Sequence, residues 1–173
     1  MNKNITIQKA TPEDAQGIGD VFYKTWLATY PNEEYGVTVD DIEFRFRDRK
    51  EKDGSRLATI SDNMQFLIAK DGDQIVGVCR IMKKEKQNEL IAIYVLPEYQ
   101  GRGIGKMFWN ESLKFFDPKQ ETVVKVVVYN KKAIEFYKKL GFKETDDIFF
   151  DERLTMKSGS TPPEMQMVMP ALE

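Results

Sequence analysis

The sequence predicts a mixed α/β domain, with a mixed central sheet flanked by helices, and three observations carry that prediction. Segments with the two-residue period of strands alternate with segments of helical period, in the order β-α-α-β-β-β-α-β-α-β-β. The run "LIAIYVL", residues 90–96, is continuously apolar, as a central strand buried on both faces would be. Just after it, "YQGRGIGKMFW" places Gly101, Gly103 and Gly105 between that strand and an amphipathic run, at a strand-to-helix passage. The 173 residues suit one domain, 1–173, with an apolar share of 41% and an aromatic share of 12%, both in the globular range. No internal repeat or linker divides the chain.

Taken in order, "ITIQKAT" alternates and reads as the first strand. "TPED" then opens a helix, with Thr11 as cap, Pro12 in the first turn and Asp14 three residues after the cap. Ile18, Phe22 and Trp26 give that helix an apolar stripe, with Val21 beside it. Thr38 with Asp41 marks a second helix, whose stripe is Val39, Ile42 and Phe46. "MQFLIAK" and "QIVGVCRIM" flank an Asp71-Gly72 turn and read as a hairpin. The polar "KKEKQNE" separates the hairpin from "LIAIYVL". After the glycines, Ile104, Phe108, Leu113 and Phe116 mark an amphipathic helix. "TVVKVVV" is a β-branched buried strand. Asn130 caps a short helix bearing Ala133, Ile134, Tyr137 and Leu140, and Gly141 ends it. "FKETDDIFF" and "EMQMVMP" are the last strands, joined by "DERLTMKSGSTPP", which reads as a mobile connection.

Composition excludes several classes of function. A net charge of −2 gives no field that favours nucleic acid or membrane. No apolar run approaches the roughly 20 residues of a membrane-spanning helix, and the start "MNKN" carries no leader core. One cysteine, Cys79, rules out an internal disulfide and fits a reducing, cytoplasmic setting; within a strand it reads as a small core residue. The chain has no histidine, so triads built on His and His-ligated metals are excluded, and no metal is expected.

The glycine cluster lies where the first amides of a helix lack internal acceptors and the helix dipole favours anions. The dinucleotide pattern G-x-G-x-x-G would need glycine at 106, which is Lys106; the P-loop needs Ser or Thr after that lysine, where Met107 stands. Both fail. The spacing that fits is Q-x-x-G-x-G, as Gln100, Gly103 and Gly105. With "IYVLPEYQGRGIGKMFW" around it and "VVVYNKKAIEFYKKLGFKE" further on, the chain resembles the GNAT superfamily of N-acetyltransferases over nearly its whole length. Residues 30–60 and 151–163 are its least family-like parts.

That resemblance implies the GNAT fold, with two central strands splayed apart, and acetyl-CoA as cosubstrate. It implies that the amides of Gln100, Gly101, Arg102, Gly103, Ile104, Gly105 and Lys106 wrap the pyrophosphate. The pantetheine arm would then lie against backbone at Ile93, Tyr94 and Val95, with Val95 N–H donating to the thioester carbonyl and Asn130 contacting the arm. A branched side chain at Gly103 or Gly105 is expected to fill the anion's space. Lys106, Lys131 and Lys132 are either phosphate contacts or solvated lysines. From its residues alone Tyr137 sits on an apolar stripe and reads as core; the resemblance implies instead a general acid facing the coenzyme A sulfur. With an ordinary tyrosine pKa of about 10, such an acid predicts a high-pH limb in the rate.

Acetyl transfer also needs a base, since a primary amine is mostly protonated at neutral pH. Glu89 and Tyr94 border the relevant strand, and a carboxylate-water relay is the expected device. Trp26, Tyr30 and Tyr35 are expected at the acceptor pocket, with Glu33, Glu34, Asp40 and Asp41 either drawing a cationic amine or forming a solvated acidic face. The expected partner is a primary amine, polyamine-like or a protein or peptide amine; the resemblance also allows a homodimer. A non-catalytic acyl-CoA-binding module is the alternative that the loop motif supports equally.

Overall fold

The computed structural model describes residues 5–47 and 61–173. Residues 48–60 of the least family-like stretch, and the first four residues of the chain, lie outside them. Numbered in chain order, the described elements are β1 (Ile5–Lys9), α1 (Ala15–Thr29), α2 (Val39–Arg45), β2 (Met64–Asp71), β3 (Gln74–Lys83), β4 (Asn88–Val95), α3 (Ile104–Phe115), β5 (Thr122–Val127), α4 (Lys131–Leu140), β6 (Lys143–Phe150) and β7 (Pro163–Met169). This is the element order expected from the sequence. The strands form one seven-stranded sheet in the order β1-β2-β3-β4-β5-β7-β6. All neighbours are antiparallel except β4 and β5, so the sheet is mixed, as the sequence led one to expect of this α/β domain.

Alternation along β3 and β4 sends residues to two helical layers. Tyr94 points to α1, where its ring meets Phe22 edge-on at 5.2 Å. Cys79, one residue along from Val78, lies instead 3.8 Å from Ser112 of α3. Gly77 faces α3 as well: a Cβ there would stand 3.0 Å from the Phe108 ring, so the bare backbone lets the helix sit close. Phe108 is fully buried, and burial of such a side chain stabilises the fold by roughly 1.5–3 kcal/mol. Cys79 is core as expected, its thiol pushed up to about 12 by burial.

Some local expectations change. Thr38 and Asp41 form the reciprocal cap of α2, with the Asp41 amide 3.1 Å from Thr38 Oγ1. Thr11 and Asp14 make a similar box around a single 3-10 turn, so α1 itself begins only at Ala15. Val39 is 51% exposed and Leu113 36% exposed; the buried stripe of α3 runs through Ile104, Phe108, Trp109 and Ser112 instead. The connection "DERLTMKSGSTPP" is pinned, not loose. The Ser158 amide donates to Asp41 Oδ1 at 2.8 Å, Lys157 pairs with Asp40 at 3.1 Å, and Met156 is buried.

Candidate active site

β4 and β5 pair over three positions, Asn88↔Thr122, Glu89↔Val123 and Leu90↔Val124, and then part. β4 keeps its pairing with β3 to Val95, and β5 keeps its pairing with β7 to Val127, so a gap opens between two otherwise well-held strands. A bulge aims the strand edge into that gap. Ala92 pairs with Arg80 but Leu90 with Ile81, so Ile91 is an extra residue in β4. Before it, the Asn88 amide faces β5, donating to Glu121 O; after it, the Leu96 amide faces β3, donating to Val76 O. The one-residue shift therefore turns the peptide groups of Ile93 and Val95 into the gap. Tyr94 departs from expectation: its peptide groups turn toward β3, and it gives the cleft its side chain.

A cleft of about 1440 Å³ runs through the gap and continues to both ends of it. At one end stands the glycine loop. Gln100 Nε2 donates to Val95 O at 3.0 Å, which ties the loop to the strand end and leaves the Val95 N–H on the gap edge. α3 starts at Ile104, and the Met107 amide already bonds Gly103 O. Among the described residues no protein acceptor receives the amides of Gly101, Gly103, Ile104, Gly105 or Lys106. These are donors at the positive end of a twelve-residue helix. The three glycines have separate causes. Gly101 and Gly103 hold φ of +76° and +83°, a region that side chains disfavour, and a Cβ on either would meet nothing within 4 Å. Gly105 is helical, and its Cβ would stand 2.9 Å from the Phe136 ring of α4, so this glycine serves helix packing rather than the anion's space. The Arg102 side chain is drawn away, donating to Glu98 O at 2.8 Å and lying over the Tyr99 ring. Lys106, Lys131 and Lys132 line the cleft. Asn130 caps α4, accepting from the Ala133 amide at 3.2 Å, and also reaches the cleft wall.

Tyr137 is 5% exposed and lines the cleft, and among the described residues its hydroxyl makes no hydrogen bond. Burial pushes its hydroxyl well above the ordinary tyrosine range, with Tyr94 and Cys79 adding to the shift. Tyr30 is raised in the same way by burial; the Tyr94 hydroxyl lies 3.5 Å from its own, and Tyr137 and Glu164 also act on it. One hydroxyl thus feels three groups from three different elements.

At the other end of the gap, Trp26 and Tyr30 line the cleft. Glu33 and Glu34 lie outside it, in the turn after α1, and so do Asp40 and Asp41. Burial would raise Asp41, but bonds from Thr38 and Ser158 hold its carboxyl below the usual range. Tyr35 stacks on Tyr129 with centroids 5.0 Å apart; Tyr129 itself lines the cleft and donates to Tyr30 O at 2.8 Å. Glu89 lines the cleft, paired with Lys84. The sequence reading missed Asp151, Arg153 and Glu164, all of which line the cleft. Asp151 and Arg153 stand in the connection that looked mobile. Glu164 opens a strand of alternating methionines, and no local pattern marks it.

Comparison with known proteins agrees with this geometry. Residues 62–144 match the model of the acetyltransferase (GNAT) domain, a span that holds the splayed strand, the glycine loop and α4. The solved PaiA N-acetyltransferase of Thermoplasma acidophilum, in complex with coenzyme A, superposes with a TM-score of 0.71 at 25% identity, covering 96% of this chain and 99% of that one. By the domain match, this chain carries the GNAT acetyltransferase domain across residues 62–144. A spermidine N(1)-acetyltransferase of the same organism is 28% identical over 152 residues, covering 83% of this chain and 91% of the relative. An uncharacterised N-acetyltransferase of Methanocaldococcus jannaschii is 26% identical over 150 residues; the match takes in 83% of this chain and 63% of that protein. GNAT acetyltransferases use acetyl-CoA, and the residues here fit it. The open amides of Gly101, Gly103, Ile104, Gly105 and Lys106 suit a pyrophosphate, and the β4–β5 gap suits an extended amide-bearing arm that bonds strand edges. Among the described residues, no helix is long and apolar enough to cross a membrane.

Proposed function

We propose that this GNAT protein transfers an acetyl group from acetyl-CoA to a primary amine, by direct attack within a ternary complex. The observation that carries the proposal is the single cleft that joins the amide cradle, through the β4–β5 gap, to the cluster of buried Tyr30 and Tyr137 with half-buried Tyr94. When bound, acetyl-CoA supplies an activated acyl thioester and a thiol leaving group. The chain's own groups then have distinct tasks. The loop amides and Lys106, Lys131 and Lys132 hold phosphate charge. Ile93, Val95 and Asn130 fix the arm in the gap, and the Val95 N–H is placed to stabilise an oxyanion there. Tyr137 is the proton donor on the cleft wall; its burial keeps it protonated across the working pH range, as an acid must be.

For the acceptor we propose a polyamine-like amine. The spermidine-acetylating relative supports that class, and Trp26 and Tyr30 offer aromatic walls to a cationic chain. The test is release of free coenzyme A thiol from protein and acetyl-CoA on addition of spermidine, putrescine, lysine or a short peptide. Steady release with one of them is expected. Coenzyme A binding with no release from any amine would overturn the proposal and leave a non-catalytic acyl-CoA-binding module.

A further inference from the structure

We infer that Glu164 receives the acceptor's ammonium group and takes its proton, so that the amine becomes a nucleophile beside the gap. This rests on the acyl-transfer reading above, and it names a base that lies on neither Glu89 nor Tyr94.

The three buried carboxylates differ in what holds them. Asp14, Asp41 and Glu164 are 8%, 2% and 9% exposed. Asp14 is saturated, with Lys70 at 2.9 Å and the Thr11 amide and hydroxyl. Asp41 is saturated by Thr38 and Ser158. The Glu164 carboxylate makes no hydrogen bond or ion pair among the described residues, yet the residue lines the cleft. A carboxylate in a residue this buried, with no protein partner and its oxygens open only to the cleft, is suited to a partner that enters by the cleft. Glu164 pairs in register with Val127, the last residue of β5, where β5 has parted from β4, and with Phe149 of β6. It therefore sits on the gap's far wall, within electrostatic reach of Tyr30.

The charged groups around it favour an incoming cation. Burial and Asp151 push the Glu164 carboxyl above the usual carboxylate range, while Lys125 and Arg153 oppose them without cancelling the rise. Asp151 is itself engaged, accepting both Arg153 Nε at 2.9 Å and Nη2 at 2.6 Å, and so does not compete for the ligand. Lys125 lies over the Phe149 ring. A primary ammonium brings one positive charge and three N–H donors, which is what a bare, desolvated carboxylate lacks. The protons balance. One ammonium proton passes to a Glu164 oxygen and on to solvent, freeing the nitrogen lone pair. The N–C bond forms as the C–S bond breaks, and the second proton shed by nitrogen replaces the one Tyr137 gives to sulfur. The products are an amide, a thiol and one proton released.

The experiment uses the amine that wild-type protein acetylates fastest. Glu164→Gln should lower kcat at pH 7 by about 10²–10⁴-fold. It should also replace the acidic limb of kcat/KM that Glu164 sets with one set by the amine, the rate climbing about tenfold per pH unit until free amine predominates. Coenzyme A affinity by calorimetry should stay within about twofold. Glu164→Asp should keep an acidic limb and part of the rate. A readout without turnover accompanies these: with carboxyl-labelled glutamate, addition of the amine to protein lacking acetyl-CoA should shift the Glu164 carbon resonance and lower its titration midpoint. Wild-type kcat and limb in Glu164→Gln would overturn the inference, and so would a carboxyl resonance indifferent to the amine. If Glu164→Gln does not fold, the aspartate variant and the resonance decide. Coenzyme A binding with no release from any amine instead sinks the acyl-transfer reading, and this inference with it.

Discussion

At the glycine-loop end of the cleft the working groups are peptide N–H bonds from near-consecutive residues, Gly101 to Lys106. At the proposed acceptor end they are side chains from separate segments: Trp26 of α1, Tyr30 just after it, Tyr94 of β4, Asp151 and Arg153 of the β6–β7 connection, and Glu164 of β7. The first end is specified by backbone shape, and it tolerates changes of side chain wherever the φ angles and helix packing survive. The second is specified by chemistry, and one atom exchanged there alters proton transfer while the fold stands. Affinity for the cosubstrate and rate of turnover should therefore come apart under mutation.

The largest separation is expected at Tyr137, where the two ends meet. Tyr137→Phe should lower kcat by roughly 10²–10⁴-fold with coenzyme A affinity nearly unchanged, measured by steady-state kinetics and calorimetry. A tyrosine serving only as core would lose a little stability and keep its turnover. Because burial holds Tyr137 well above the ordinary tyrosine range, the wild-type rate should show no Tyr137 limb near pH 10, contrary to what an unperturbed phenol predicts.

Next in size is ligand stabilisation of the cradle. Coenzyme A at about 100 times its dissociation constant should stabilise the fold by about 2.7 kcal/mol, seen as a rise in Tm. An unchanged Tm would remove the cosubstrate from the cleft.

The glycines then divide the loop end itself. Gly105→Ala should cost about 1–3 kcal/mol through its clash with Phe136, offset by up to about 1 kcal/mol of helix propensity. Phe136→Leu should relieve most of that cost, and denaturant unfolding of the double mutant measures the coupling. Gly103→Ala should cost about 1–2 kcal/mol from its left-handed backbone alone, with no rescue at Phe136. Equal rescue of both would erase the distinction.

The smallest effect belongs to the acceptor end. Arg153 holds the Asp151 carboxyl down at about 2 in the folded protein. A depressed folded pKa adds stability that is present above the unfolded value and lost as pH falls through about 2. Since Arg153 is 81% exposed, solvent screening keeps the gain below about 1 kcal/mol. Asp151→Asn should thus flatten acid unfolding only slightly between pH 4 and pH 2.

The sequence by itself determined the element order, the caps at Thr38 and Asn130, and the cradle after β4. These depend on residues within a few positions of one another, where period, cap chemistry and glycine spacing act directly on the backbone. The family resemblance added the cosubstrate and the place of Tyr137. Only the tertiary structure decided which glycine answers to φ and which to Phe136, since that ring arrives from α4, some thirty residues away. The bulge at Ile91 was equally hidden, because nothing in "LIAIYVL" says that β3 pairs one residue short. The acceptor end was misread for the same reason. Glu33 and Glu34 look like a site because they are clustered in sequence, but the turn after α1 carries them outside the cleft. Glu164 looks like an ordinary strand residue until β7, inserted between β5 and β6, brings it to the wall of the gap without a partner.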